Sequence, residues 1–157
     1  MLPSNNKSLY FFINPNAGKG IAKDIYEKTK NILMQNNIFS AFYVSKYHGD
    51  ITEKISSMDL TQYDGIVVIG GDGSIHEAVN GLIKSGKSDQ LPLGIIPAGS
   101  GNAFASDLDI NGIDQAIHTL LKLNSINIDI MKINHNDRVS YSANILGWGM
   151  ASKVNRI

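Results

Sequence analysis

The sequence predicts an α/β protein of three layers, in which a mostly parallel sheet lies between helices, with a β-hairpin towards the C-terminal end. Three observations support this prediction. Short apolar runs alternate with longer segments whose apolar residues recur at helical spacing. Three of the apolar runs lead directly into turns of glycine and other small residues. From Ile126 onward single apolar residues alternate with polar ones, which is typical of antiparallel strands.

The first elements are two strands, each followed by a helix. Residues 9–13 and 39–44 are the predicted strands, and residues 20–35 and 50–58 are the predicted helices. The apolar side of the longer helix would consist of Ile21, Ala22, Ile25, Ile32 and Leu33. This order of elements predicts a parallel arrangement, because a helix between two strands returns the chain to the starting edge of the sheet.

Residues 65–69 form a continuous apolar run, as expected of a central strand that is buried on both faces. The following helix, 74–84, carries a regular apolar stripe. Its members are Ile75, Ala78, Val79, Leu82 and Ile83. Ser74 is the expected N-cap, and Glu77 three residues later completes a capping-box pattern.

The last elements are a fourth strand, two helices and a hairpin. Residues 92–96 are the strand, and residues 102–108 and 112–123 are the helices. The final helix repeats the core spacing with Ile113, Ala116, Ile117, Leu120 and Leu121. The alternating residues predict hairpin arms over 126–130 and 139–145, with a turn over 134–137.

The sequence Gly70-Gly71-Asp72-Gly73 follows the central strand and leads into a helix. Glycine permits backbone conformations that are closed to other residues, and it lets a ligand approach the main chain closely. The N-terminus of a helix favours anions. The turn therefore predicts a phosphate-binding site in which Asp72 acts on a proton or holds a metal ion. A tight Asp-Gly turn without chemistry is the alternative.

Two further strands end in comparable turns, at residues 14–20 and 97–102. The first is not a standard P-loop, because Gly18 is the only glycine before Lys19 and Gly20 replaces the metal-binding hydroxyl. Parallel strands place all of their following turns at one edge of the sheet, outside the carboxyl ends. We therefore expect the three turns to converge.

The three segments FFINPNAGKG, VVIGGDGSIHEAVNGL and LGIIPAGSGNAFASDL resemble the catalytic-domain signatures of the diacylglycerol kinase and sphingosine kinase superfamily. Their order and approximate spacing match as well. His76-Glu77, the run 79–82 and the run 98–102 are more similar to sphingosine kinases than to bacterial diacylglycerol kinases. The resemblance covers almost the whole chain, and it implies the N-terminal nucleotide-binding domain shared by NAD kinases and diacylglycerol kinases.

This resemblance implies transfer of the γ-phosphoryl of ATP to a primary hydroxyl of a lipid, with Asp72 as general base. The nucleotide-binding residues that it implies are Asn14, Pro15, Asn16, Gly18, Lys19, Ser45, Glu77, Gly99, Ser100 and Gly101. The implied substrate-binding residues are Gly70, Gly71, Asp72 and Gly73. Two structural alternatives stay open: Lys19 as a solvated loop residue, and Glu77 as a capping residue. Mg²⁺ is implied because a carboxylate near a triphosphate needs an intervening cation, and the sequence predicts no dedicated protein metal site.

The expected division of the chain is an α/β nucleotide-binding catalytic domain over 1–128, and the start of a truncated β-rich lipid-binding domain over 129–157. The run 145–149 resembles the start of the family's second domain, but Lys153 and Asn155 stand where sphingosine kinases tend to carry acidic residues. Three functions therefore stay open. They are a lipid kinase acting on a sphingoid base, ceramide or diacylglycerol; a non-catalytic ATP-binding module; and a soluble-substrate kinase of the NAD kinase type.

Composition sets further limits. The 157 residues are enough for one domain with a substantial core. The 14 basic and 14 acidic residues balance, which argues against a nucleic-acid partner. Cysteine is absent, and the four histidines lack the spacing of a structural zinc site. Without a signal-peptide pattern or a transmembrane segment, we expect a cytoplasmic protein that contacts membranes peripherally. An open sheet edge near the C-terminus predicts self-association into a homo-oligomer.

Overall fold

The computed structural model describes residues 7–135 and 138–143. Its strands are β1 (Lys7–Ile13), β2 (Ile38–Val44), β3 (Gly65–Gly70), β4 (Leu93–Pro97), β5 (Met131–His135) and β6 (Arg138–Ser142). Its helices are α1 (Ala22–Gln35), α2 (Asp50–Ser57), α3 (Asp72–Lys84), α4 (Ala103–Asp107) and α5 (Ile113–Lys122), and a 3₁₀ turn spans Ala17–Gly20. The predicted α/β fold is confirmed, and the predicted elements of the parallel sheet and its helices lie within two residues of the observed ones.

The main sheet has four parallel strands in the order β2-β1-β3-β4. All six residues of β3 are buried, as the continuous apolar run predicts for a central strand. The chain passes from β1 outward to β2 and then back to the other side of β1. The strand order therefore reverses between β1 and β3, which is where open α/β sheets form a crevice for ligands.

Alternate side chains of the strands point to opposite faces of the sheet and enter two separate apolar clusters. Phe11 and Val67 pack on one face with the apolar sides of α1 and α5. Phe12 and Val68 pack on the other face with α2 and α3. All four of these side chains are fully buried. The sheet is thus the middle of three layers, and both central strands are fixed in position beneath their carboxyl-terminal turns.

The apolar stripes predicted for α3 and α5 lie in the core, but one prediction for the first helix is wrong. Ile21 was expected on the buried side and is 49% exposed. Gly18, Lys19 and Gly20 all have positive φ, so the chain turns in a left-handed sense before α1. The regular helix begins only at Ala22. Helical spacing therefore does not extend back to Ile21.

The first arm of the C-terminal hairpin lies later in the chain than the alternation predicts, and the second arm starts one residue earlier than predicted. β5 and β6 pair antiparallel, with Met131 opposite Ser142 and His135 opposite Arg138. The predicted arm over 126–130 is not a strand, and Ile126 is 73% exposed. Alternation alone could not locate this arm, because its pairing depends on the position of the turn. Residues 136–137 of that turn, and the predicted hairpin residue Ile145, lie outside the described residues.

Candidate active site

A cleft of about 800 Å³ lies at the carboxyl edge of the sheet, where the turns after β1, β3 and β4 meet. The predicted site residues that line it are Asn14, Asn16, Gly18, Lys19, Gly71, Asp72, Gly73, Glu77, Gly99, Ser100 and Gly101. Pro15 and Ser45 line an adjoining cavity of about 180 Å³. Gly70 ends β3 and lines neither space. The structure thus brings the three predicted turns together around one opening.

Asp72 occupies the first turn of α3, and its side chain crosses to the turn after β4. One carboxylate oxygen accepts a hydrogen bond from the Ala103 amide at 3.1 Å, and the other accepts one from the Phe104 amide at 3.0 Å. These amides belong to the first residues of α4. Bonds from backbone amides to a carboxylate are among the stronger hydrogen bonds in proteins. They fix the orientation of the Asp72 side chain at the edge of the cleft.

Asn14 connects the turn after β1 with the start of α3. Its backbone amide donates to the Ile69 carbonyl at 3.0 Å, and its side-chain amide donates to the Ser74 hydroxyl at 3.1 Å. Its side-chain oxygen accepts the Asn16 amide at 3.0 Å. Asn14 therefore holds the first turn in register with the helix that carries Asp72.

The prediction of Ser74 as an N-cap is wrong. Gly71 is the N-cap, and α3 begins at Asp72, two residues earlier than predicted. Glu77 is consequently too far along the helix to reach the N-cap, so the capping-box prediction fails as well. Ser74 is instead buried, and it accepts the hydrogen bond from Asn14.

Glu77 is 8% exposed and bonds to the start of α2. Its carboxylate accepts the backbone amides of Gly49 at 2.9 Å and Ile51 at 3.2 Å. His48 Nδ1 lies 2.9 Å from the same carboxylate. Glu77 therefore connects α3 to the chain segment 45–49 on the rim of the cleft.

The other end of that segment is bonded to Asp50, which is 2% exposed. Asp50 accepts the Lys46 amide at 2.7 Å and the Tyr43 hydroxyl at 2.8 Å. Burial, together with the hydrogen bond from the Tyr43 hydroxyl to Asp50, raises the pKa of Tyr43 to about 12. The hydroxyl therefore keeps its proton and remains a donor at neutral pH. Ser45 donates its backbone amide to the Ile13 carbonyl at 2.9 Å. The segment is thus held at both ends beside the smaller cavity.

The turns after β3 and β4 touch through two glycines. A Cβ atom on Gly99 would lie 2.6 Å from the Gly71 Cα, which is closer than carbon atoms can approach. Asn102 adds a second constraint, because its side chain accepts the Gly99 amide and donates to the Gly99 carbonyl, both at 2.8 Å. Asn102 belongs to the quoted signature but was not among the predicted site residues. Its spacing from Gly99 suits such a local turn, which is the signal that could have identified it.

Lys19 lies on the rim of the cleft with a left-handed backbone, at φ 58° and ψ 33°. Gly18 beside it is also left-handed, and a Cβ there would lie 2.9 Å from the Ile21 side chain. A residue with a Cβ is strained in this conformation by about 1–2 kcal/mol. The turn therefore holds a cation at the cleft at some cost in stability.

The chemistry of the lining fits an anionic, phosphate-bearing ligand with its counter-ion. Glycine backbone and a lysine provide contacts for phosphate oxygens, and Asp72 and Glu77 contribute carboxylates to the same lining. Within residues 7–135 and 138–143, no cluster of three or more histidine or acidic side chains could hold a metal ion. A divalent cation here would take most of its ligands from phosphate and water, as Mg²⁺ usually does.

The comparisons with known proteins agree with this geometry. The family model of the diacylglycerol kinase catalytic domain matches residues 8–133. Sphingosine kinase 1 of Arabidopsis thaliana is 32% identical over 95% of the chain, and human ceramide kinase is 32% identical over 98%. The crystal structure of a diacylglycerol kinase from Bacillus anthracis superposes with a TM-score of 0.69 at 26% identity, over 82% of this chain and 46% of that one.

The chain spans about a third of the length of these curated relatives, 33% of the plant sphingosine kinase and 32% of the ceramide kinase. The matched part runs from the second residue of β1 to the middle of β5 and includes all three turns of the cleft. Together the family match, the relatives and the shared fold lead to one conclusion: the chain belongs to the diacylglycerol kinase catalytic domain family.

Proposed function

We propose that this protein transfers the γ-phosphoryl group of ATP to a hydroxyl group of a lipid. The observation that carries the proposal is the convergence of Asp72, Lys19 and three glycine-rich turns on one cleft. The relatives support it, because their names describe kinases of sphingosine, of ceramide and of diacylglycerol. The acceptor class is a sphingoid base, a ceramide or a diacylglycerol.

In the proposed mechanism, Asp72 accepts the proton of the lipid hydroxyl. The hydroxyl oxygen forms a bond to the γ-phosphorus, and the bond from that phosphorus to the bridging oxygen of ADP breaks. This chemistry depends mainly on the position and charge of the reacting groups. The two hydrogen bonds from the Ala103 and Phe104 amides, which orient the Asp72 carboxylate, are therefore part of the proposed catalytic arrangement. Gly70, Gly71 and Gly73 leave space for the acceptor beside it.

The phosphates of ATP would lie along the turns 14–20 and 99–101. Backbone amides and the Lys19 ammonium bind phosphate oxygens there, and Mg²⁺ neutralises phosphate charge when bound. Pro15 and Ser45 line the adjoining cavity, which we assign to the rest of the nucleotide. Glu77 lines both spaces and keeps the segment 45–49 in place.

We further propose that residues 1–128 form the nucleotide-binding unit and that 129–157 begin the lipid-binding part. The predicted tract 145–149, Lys153 and Asn155 lie outside the described residues. No helix within the described residues is both long and apolar enough to cross a bilayer. Peripheral contact with a membrane, and self-association through a sheet edge, stay predictions.

The proposal is tested by incubating the purified chain with labelled ATP, Mg²⁺ and mixed micelles that contain sphingosine, ceramide or diacylglycerol. A labelled lipid product would identify the acceptor. ATP binding without any labelled lipid would favour the alternative function, a nucleotide-binding module without transfer activity.

Replacement of Lys19 by glycine is expected to change protein stability and ATP affinity in opposite directions. We expect Lys19→Ala and Lys19→Gly to weaken ATP binding by about tenfold, because both remove the cation. The glycine variant should be more stable than the alanine variant by about 1 kcal/mol, since only glycine adopts the left-handed backbone without strain. Calorimetric titration and thermal unfolding measure the two effects. Unchanged ATP affinity in both variants would make Lys19 a solvated loop residue.

A second prediction concerns Glu77. We expect Glu77→Gln to lower the free energy of unfolding by about 1–3 kcal/mol, because a buried carboxylate that accepts two backbone amides loses one acceptor. ATP affinity should fall too, since the segment 45–49 borders the nucleotide. Glu27→Gln is the matched control, since Glu27 lies on α1 away from this segment, with its side chain 58% exposed and 3.8 Å from Lys30. Equal effects in both variants would contradict this role for Glu77.

A further inference from the structure

The face of α3 that begins at Asp72 carries two more polar side chains, His76 and Asn80. The three residues are spaced four apart, so they lie one above the other along the helix. Eight residues of helix correspond to about 12 Å. His76 and Asn80 are half-buried. A polar stripe therefore runs from the cleft along α3 to Asn80.

Asn80 bonds to the backbone of the C-terminal hairpin. Its side-chain oxygen accepts the Tyr141 amide at 2.9 Å, and its side-chain nitrogen donates to the Tyr141 carbonyl at 2.8 Å. These are the two groups that a neighbouring β-strand would pair with. The same nitrogen donates to the His76 carbonyl at 2.8 Å, which fixes the side chain on its own helix. The Asn80 side chain thus makes the two backbone hydrogen bonds with Tyr141 that a neighbouring strand would otherwise make.

Side-chain packing also holds the described part of the hairpin. The partly buried side chains that pack against the apolar cluster of α2 and α3 from this region are Ile130, Tyr141 and Ala143. On the hairpin itself, Met131 and Val139 are 42% and 53% exposed. The hydrogen bonds of Asn80 therefore add a directional contact to this packing of the hairpin over α3.

We infer that Asn80 is a positioning residue for the acceptor: it fixes the hairpin on the face of α3 that carries Asp72, so that the hairpin borders the path of the lipid hydroxyl past His76 to Asp72. This inference rests on the proposed lipid kinase function. Asn80 lines neither the cleft, where the ATP phosphates and the acceptor hydroxyl would meet, nor the adjoining cavity, so it would act on the acceptor only through the hairpin. Its removal should therefore affect the acceptor and leave ATP binding intact.

The test compares Asn80→Ala with Asn36→Ala. Asn36 is a matched control, because its side chain also donates to the carbonyl four residues earlier, that of Ile32 at 2.9 Å, but at the exposed end of α1. We expect hydrogen exchange at the Tyr141 amide to accelerate by about tenfold or more in Asn80→Ala only, since its acceptor is lost. The ATP dissociation constant should stay within about twofold of the wild-type value.

Kinetics separate positioning from general destabilisation. In Asn80→Ala the KM for the micellar lipid should rise by about tenfold, while the KM for ATP stays unchanged. Asn80→Asp is the second variant: it keeps an acceptor for the Tyr141 amide but cannot donate to the Tyr141 carbonyl, so the lipid KM should rise here as well. A parallel loss of ATP and lipid affinity, or an unchanged lipid KM, would overturn the inference.

The labelling assay and the exchange experiment distinguish failure of the proposed lipid kinase function from failure of the inference about Asn80. If the wild-type chain labels no lipid, the lipid kinase function fails and the acceptor role of Asn80 fails with it. The exchange comparison still decides whether Asn80 holds the hairpin, because it requires neither ATP nor lipid. Unchanged exchange at Tyr141 would refute the structural half of the inference in either case.

Discussion

Replacement of Asp72 by asparagine is expected to reduce lipid phosphorylation by about 10²-fold or more, because it removes the proposed general base. The structure adds a second effect. Asparagine has one acceptor oxygen for the two amides of Ala103 and Phe104, and it presents a donor to the other amide. We therefore also expect the free energy of unfolding to fall by about 1–3 kcal/mol.

The two effects of Asp72→Asn are separable. Activity should be compared at a temperature at which circular dichroism shows both proteins folded, together with the ATP affinity of each. Asp114→Asn is a matched control, since Asp114 lies on α5 with its side chain 85% exposed and pairs with Lys28 at the surface. If Asp72→Asn has near-normal ATP affinity but phosphorylates no lipid, this result would support Asp72 as the general base. Activity within about tenfold of wild type would exclude it.

Replacement of Gly99 by alanine is expected to disrupt the cleft itself. The new Cβ would lie 2.6 Å from the Gly71 Cα and 2.9 Å from the Asn102 side-chain oxygen. The backbone must move, because the nearest neighbour is main chain and not the end of a flexible side chain. We expect a loss of about 1–3 kcal/mol in stability and a loss of about tenfold or more in ATP affinity.

Gly73→Ala is the matched stability control for Gly99→Ala. Gly73 lies in the adjacent turn of the cleft, but a Cβ there meets nothing within 4 Å. It is part of α3, where alanine is intrinsically more favourable than glycine. Thermal unfolding should therefore show Gly73→Ala at or above wild-type stability and Gly99→Ala well below it. Equal stability of the two variants would contradict the close contact between Gly71 and Gly99.

The sequence predicted the fold accurately because its signals were local. A continuous apolar run identified β3 as a central strand, and helical spacing identified the buried sides of α3 and α5. The sequence did not predict the strand order, but the common direction of parallel strands was sufficient to predict that three turns would meet at one edge. The prediction of the cleft and of most residues that line it therefore required no tertiary information.

Errors arose where two signals overlapped or where pairing was distant. Ser74 and Glu77 match a capping box, yet Gly71 is the N-cap and α3 begins at Asp72. Ile126 continues an alternating pattern, but only the position of the turn decides which residues form β5. In both cases the local pattern is present in the sequence, but the preceding turn or the partner strand determines where the element begins.

The sequence by itself determined the layers of this protein, the family signatures, and the side chains available at the cleft, since apolar periodicity and glycine-rich turns act over short distances. Tertiary structure alone decided the partners of those side chains. It placed the Asp72 carboxylate on the amides of α4, Glu77 on the start of α2, and Asn80 on the backbone of β6. These bonds join residues that lie 26 to 61 positions apart, and the distances that allow them exist only after the sheet and helices have packed.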